Sequence, residues 1–370
     1  MKSRIVLFVA AIVFALQGWS LSAQPNAADA VYVATNAAAG NSVLFFSRSA
    51  SGALTPAGSF ATGGSGTGGG LGNQSGLILS RDGEWLFVVN AGSNEVSVFE
   101  VRPDGLKLTD KVASGGKMPV SVTFDRDVLY VLNAGGGAGA EDNITGFSFS
   151  GQGKLEPLAG STRKLSGTNT GPAQVGFNHK GSLLVVTEKN TNKIDTFGVD
   201  RDGFATGPIV QPSSGVEPFG FAFGRHDRVF VSEAFGGKPN GSALSSYELE
   251  RDGELESISP SVGTNQTAAC WAVLTQDGRF AYVTDTGSAA VTGYSVDAEG
   301  RLALLQADGK SATTGAGPID TAFSRDDQFL FTLNSGSHTI TGFRVGDQGQ
   351  LSGVSSVGGL PASANGLAAR

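Results

Sequence analysis

WLFVVNAGSNEVSVFEV, residues 85–101, decides how this chain is read. Residues 85–90 form a nearly unbroken apolar, β-branched run that stops at Asn90. A Gly/Ser/Asn turn follows, and residues 95–101 then alternate apolar and polar. The first pattern fits a strand buried on both faces; the second fits a half-exposed neighbour. The motif recurs seven times, as VYVATN, LFVVN, LYVLN, LLVVTE, VFVSE, AYVTD and LFTLN, ending at Asn36, Asn90, Asn133, Glu188, Glu233, Asp285 and Asn334. These YVTN-like repeats step by 43 to 55 residues.

A second landmark keeps the same period. Gly52, Gly105, Gly153, Gly203, Gly253, Gly300 and Gly349 are spaced 47 to 53 residues apart, three of them in Asp-Gly pairs. Asp-Gly between apolar runs marks a hairpin, because glycine accepts positive φ at little cost. Around residues 85–101 four strands can be placed, SGLILS, WLFVVN, EVSVFEV and LKLTDKVA. Four short strands per unit of about 50 residues is the requirement of a β-propeller blade. Seven units predict an all-β, seven-bladed β-propeller with four antiparallel strands per blade. The first unit lacks an inner strand, whereas PASANGLA from Pro361 matches the inner-strand starts PVSVTF, PAQVGF, PFGFAF and PIDTAF. Residues near Ala362–Ala369 are therefore expected to complete the N-terminal blade and remove an open sheet edge.

The first 24 residues read as an export signal: Lys2 and Arg4, a 12-residue apolar core Ile5–Leu16, then small residues at Ser20, Ser22 and Ala23. That core is too short to span a bilayer, which needs about 20 residues. The expectation is a signal peptide over residues 1–24 and one propeller domain over 25–370, exported to the periplasm or the extracellular medium. The net charge of −7 becomes −9 without Lys2 and Arg4, and no Lys/Arg run occurs, so nucleic acid is not an expected partner. Glycine makes up 55 of 370 residues, about twice the usual ~7% share, as repeated hairpins require. Cys270 is the only cysteine, so no internal disulfide supports the fold.

In a propeller, loops leaving the second strands and loops entering the inner strands open on one face. That face would collect Asn90, Asn133, Glu188, Glu233, Asp285 and Asn334, with Gln74, Gln174, Glu217, Gln266 and Asp320. Convergent polar groups on a concave mouth form a candidate site, although Asn and Asp also serve loop backbones. Three irregular loops border it, residues 58–76, 134–143 and 234–242. His179, His226 and His338 are scattered and suggest neither a metal cluster nor a Ser-His-Asp arrangement. No metal or other cofactor is expected.

The units LFVVNAGSNEVSVFEV and FLFTLNSGSHTITGFRV resemble the lactonase / 6-phosphogluconolactonase-like propeller family, which includes fungal carboxymuconate cycloisomerases. The resemblance runs from about Val31 to Ala369 and implies a lactonase-type hydrolase. Glu188 matches the family glutamate. The family Arg and His after Gly-Pro are replaced by Ala173 and Gln174, its His-x-His by residues 119–122 (PVSV), and its second Arg by Ile319. The resemblance then points to an uncharged or weakly charged lactone. Glu188 would be the general base, Glu233 or Asp285 the acid or orienter, and Gln174 the oxyanion donor. Asn133, Gln266 and Asp320 would bind substrate. The alternative is a non-catalytic propeller that binds a small molecule, glycan or protein on the same face; under either reading a monomer is expected.

Overall fold

The computed structural model describes residues 29–137 and 141–370. The segment read as a signal peptide lies outside the described residues. Seven antiparallel sheets follow one another round a ring. Blade 2, for example, runs outward from the axis as Leu77–Leu79, Trp85–Asn90, Glu95–Arg102 and Gly105–Ala113. In blades 3 and 6 the fourth position is filled by two short pieces, Lys154–Pro157 with Arg163–Thr168, and Leu302–Leu304 with Lys310–Thr313. No α-helix occurs among the described residues; two three-residue 3-10 turns interrupt blade 5.

The ring closes as the sequence leads one to expect. Val31, Tyr32 and Val33 pair with Ala369, Ala368 and Leu367, so the last strand supplies the inner position of blade 1. The paired strand is Leu367–Ala369, shorter than 362–369. Residues 361–366 instead turn at the channel mouth, where Asn365 N–H bonds Ala34 O at 2.9 Å.

Each second strand is sandwiched within its own sheet and between neighbouring blades, which explains its apolar run. Residues Leu183–Glu188, Phe280–Asp285 and Phe329–Asn334 are buried throughout. Side chains of adjacent blades interdigitate, and the recurrent turn glycines gain a second function there. Gly153 (φ 76°) lies where a Cβ would stand 2.3 Å from the Trp85 ring. Gly349 (φ 79°) would meet Phe280 at 2.6 Å. The hairpin needs glycine for its φ, and the neighbouring aromatic needs it for space.

The inner strands share one irregularity. In blades 3 to 7 the register slips just after the strand begins, at Pro119/Ser121, Pro172/Gln174, Pro218/Phe221, Ala269/Trp271 and Pro318/Asp320. The preceding residue is left-handed in every case: Met118, Gly171, Glu217, Ala268 and Gly317 have φ between 53° and 63°. Such bulges bend a strand and re-aim a side chain. Here they set Val120, Ala173, Phe219, Cys270 and Ile319 at the upper end of the channel.

Candidate functional site

The channel mouth is a ring of these bulge residues, and the ring is apolar. Ala173, Phe219, Cys270 and Trp271 pack with Ala234, and Ile319 leans against them. The Phe219 and Trp271 rings lie 5.1 Å apart. Above the ring sits a cavity of about 430 Å³, bordered by Gly72, Trp271, Ile319, Ser335, His338 and Asn365.

The glycine-rich segment 62–76 crosses this mouth. Its far end enters the channel and is gripped from three blades. Gln74 N–H donates to Ala173 O of blade 4 at 3.0 Å. The Gln74 carboxamide bonds both backbone groups of Ala272 in blade 6, accepting from N–H at 3.0 Å and donating to O at 2.9 Å. Trp271 Nε1–H donates to Asn73 O at 2.6 Å, and Asn73 Nδ2 to Val120 O of blade 3. These bonds satisfy inner-strand edges that would otherwise be buried without partners. They also seal the channel just below the mouth.

Lys189 is the buried cation beside the mouth, with Glu217 a second charged group near it. Its ammonium donates to Gly72 O and stands 4.7 Å above the Phe219 ring. Burial lowers its pKa to about 8, and the nearby Cys270 and Glu217 offset that only in part. At pH 7 it stays largely cationic, with N–H donors beyond the one given to the segment. Asn365 is buried beside the cavity, and its Oδ1 has no hydrogen-bond partner. A polar atom left so is costly unless something else supplies a donor.

The three carboxylates read as acid–base groups do not reach this mouth; each is fully buried in a different blade. Glu188 accepts from Ser166 N–H at 3.0 Å and Ser166 Oγ at 2.6 Å. Glu233 accepts from Ser245 and Ser261 hydroxyls at 2.5 and 2.6 Å. Asp285 accepts from Thr292 at 2.7 Å and Ser242 at 3.4 Å. Asn133 likewise donates to Ser114 O at 3.2 Å, across the seam with blade 2. The physical reason is geometric. Only the inner strand has an edge on the channel, and side chains of the second strand project perpendicular to the sheet, into the seams between blades. Burial raises the pKa of Glu233 and raises that of Asp285 to about 7. Asp195, which shares the Ser166 N–H with Glu188, is also raised, first by burial and then by that neighbour's charge.

The residues read as substrate-binding also divide. Gln174 Oε1 accepts from Phe221 N–H of the next blade at 2.7 Å, while its Nε2, the group that would donate to an oxyanion, donates to Ser75 Oγ at 3.4 Å. Gln266 lies on the outer rim, donating to Asp308 O at 2.9 Å. Asp320 does line the channel, below Gln74; it accepts from Leu367 N–H and Thr321 N–H, both at 2.8 Å. Lys189 and Asn365 were not read from the sequence. One signal was present: the residue after each second-strand motif is Ala, Thr or Ser in the other six units, and Lys only here. Among the described residues no cluster of three potential metal ligands exists, and no helix is long and apolar enough to cross a membrane.

Comparison with known proteins agrees with this architecture. The family profile described as "Lactonase, 7-bladed beta-propeller" matches residues 25–159 and 241–365. No curated protein matches. Among solved structures, a putative 6-phosphogluconolactonase of Bacteroides fragilis is 19% identical with a TM-score of 0.70, covering 93% of this chain and 98% of that one. A periplasmic gluconolactonase of Pseudomonas aeruginosa is 19% identical with a TM-score of 0.69, covering 91% and 98%. A Lactobacillus plantarum protein is 18% identical with a TM-score of 0.74, covering 92% and 99%. At these identities the likeness is one of fold.

Proposed function

Because the chain belongs to the seven-bladed β-propeller lactonase family, we propose that it is an exported hydrolase of an uncharged, hydroxylated lactone bound at the channel mouth. The observation that carries this reading is the combination of an apolar bulge ring with an unpartnered Asn365 Oδ1 and a desolvated Lys189 ammonium. An apolar floor accepts the carbon face of a ring. Asn365 Oδ1 would take a ring hydroxyl. The Lys189 ammonium would stabilise the oxyanion formed when water attacks the ester carbonyl, a contribution that is large in a dry site. With one cation and no arginine fork at the mouth, a phosphorylated or doubly charged lactone is disfavoured. His338, exposed at the same cavity, is the candidate base for water. Glu188, Glu233 and Asp285 then support the walls.

The test is hydrolysis of neutral and phosphorylated sugar lactones by the purified protein and by Lys189→Met. The reading expects turnover of neutral lactones and at least a tenfold lower kcat/KM in the variant. Turnover unaffected by the substitution, or confined to phosphorylated lactones, would overturn it. The closure of the mouth by segment 62–76 favours a second reading, a binding protein without chemistry. That reading expects thermal stabilisation by a lactone or sugar with no product formed.

A further inference from the structure

The channel does not end at Gln74. Below it lies a second cavity of about 360 Å³, within the range of small-molecule sites. Leu77, Leu79, Phe223, Leu274, Phe323 and Ala369 supply apolar walls, while Ser75 and Asp320 border it with Gln74. Because the Gln74 carboxamide is bonded across the axis, the two cavities are separate and the lower one is a blind pocket opening on the face opposite the mouth.

Asp320 is the buried polar group of this pocket that nothing in the protein neutralises. It is only 4% exposed, and both of its protein hydrogen bonds are accepted, from Leu367 and Thr321 backbone N–H groups. The strands packed on its own are Ala269–Leu274, Phe280–Asp285, Phe329–Asn334 and Leu367–Ala369. Their titratable side chains are Cys270, Tyr282 and Asp285; none is a cation and none bonds Asp320. In the turn that follows, Arg325 donates to Asp82 O, and Asp326 and Asp327 are its neighbours. Burial raises Asp320 to about 8, so at neutral pH it is a carboxylic acid. Its O–H has no acceptor among its protein partners and is left for the cavity. The turns at the open end set Arg81, Arg126 and Arg325 beside Asp82, Asp125 and Asp326, so the rim selects no ion of either sign.

We infer that the lower channel is a second binding site, separate from the lactone site at the mouth, for a small uncharged molecule with an apolar body and one carbonyl or hydroxyl acceptor at its leading end. The acceptor takes the Asp320 O–H, the body fills the apolar section, and neither depends on the chemistry at the mouth.

The neutral naphthyl ketone prodan tests this, because its emission shifts to the blue in an apolar site. The full chain is titrated at about pH 6 and pH 9.5, with Ala222→Phe, which fills the pocket from the inner strand of blade 5, and Asp320→Asn. The expected result is one saturable site at pH 6, weakened at least tenfold in Ala222→Phe. Between the two pH values wild-type affinity should fall by roughly 30-fold, the loss of the protonated fraction of a group titrating near 8. Asp320→Asn should bind with no such dependence. No saturable shift, equal binding by Ala222→Phe, or pH-independent binding by the wild type would each overturn the inference. Should Asp320→Asn not fold, the wild-type pH titration and Ala222→Phe still decide.

Discussion

Replacing Asp285 by Asn should stabilise the protein at alkaline pH and change it little in acid. Asp285 is fully buried, and burial holds its pKa at about 7 against an ordinary 3.8. The native state thus keeps a proton that the unfolded chain has lost. For an acid shifted upward, stability is fully present below the unfolded pKa and declines as pH rises to the folded one. A shift of this size corresponds to about 4 kcal/mol in total, of which roughly 2.5 kcal/mol is lost between pH 5 and 8. Asparagine cannot ionise, and the same motif already ends in asparagine in four other blades, at Asn36, Asn90, Asn133 and Asn334. Its carbonyl can accept the Thr292 hydroxyl, and its amide can donate to Ser242 Oγ. Urea unfolding of both proteins at the two pH values gives the comparison. Asp320, Glu233 and Asp195 slope the same way and remain in the variant, so the readout is the difference in slope, not the slope itself. Equal slopes, or a variant less stable at both pH values, would refute the reasoning. The same variant should keep any lactone turnover, since Asp285 faces a seam.

Gly153→Ala should cost about 2–4 kcal/mol, from left-handed backbone strain plus a methyl group pressed into the Trp85 ring, measured by chemical denaturation. Deleting residues 361–370 leaves Ala30–Ala34 as an open inner edge; light scattering should then show aggregation, and an unchanged, soluble ring would count against the clasp.

The fold was legible because two independent landmarks, strand ends and turn glycines, keep one period around the ring. A buried strand of three or four apolar residues repeated seven times leaves few architectures. The site was harder to read. Glu188 at the end of a second strand looks the same in sequence whether its side chain faces an axis or a seam. Only the sheet geometry decides, and it decides for the seam. The bulge that places Ala173 and Ile319 at the mouth has no signature beyond a preceding Gly-Pro, and blade 6 makes it with Ala268-Ala269 instead. Gln74 sits in the inner-strand start, yet that its carboxamide reaches blade 6 depends on the length and glycine content of a loop. Lys189 stood out only in the column of residues following the motif.

The repeated bulge has a consequence for how such a ring can change. In each of five blades one side chain is lifted out of the strand's regular pairing while its neighbours keep theirs. A substitution at 120, 173, 219, 270 or 319 therefore alters what the axis presents without rewriting the ladder that holds the blade. Chemical selectivity and structural integrity are carried by different positions, so the ring can exchange one set of ligands for another and remain the same ring.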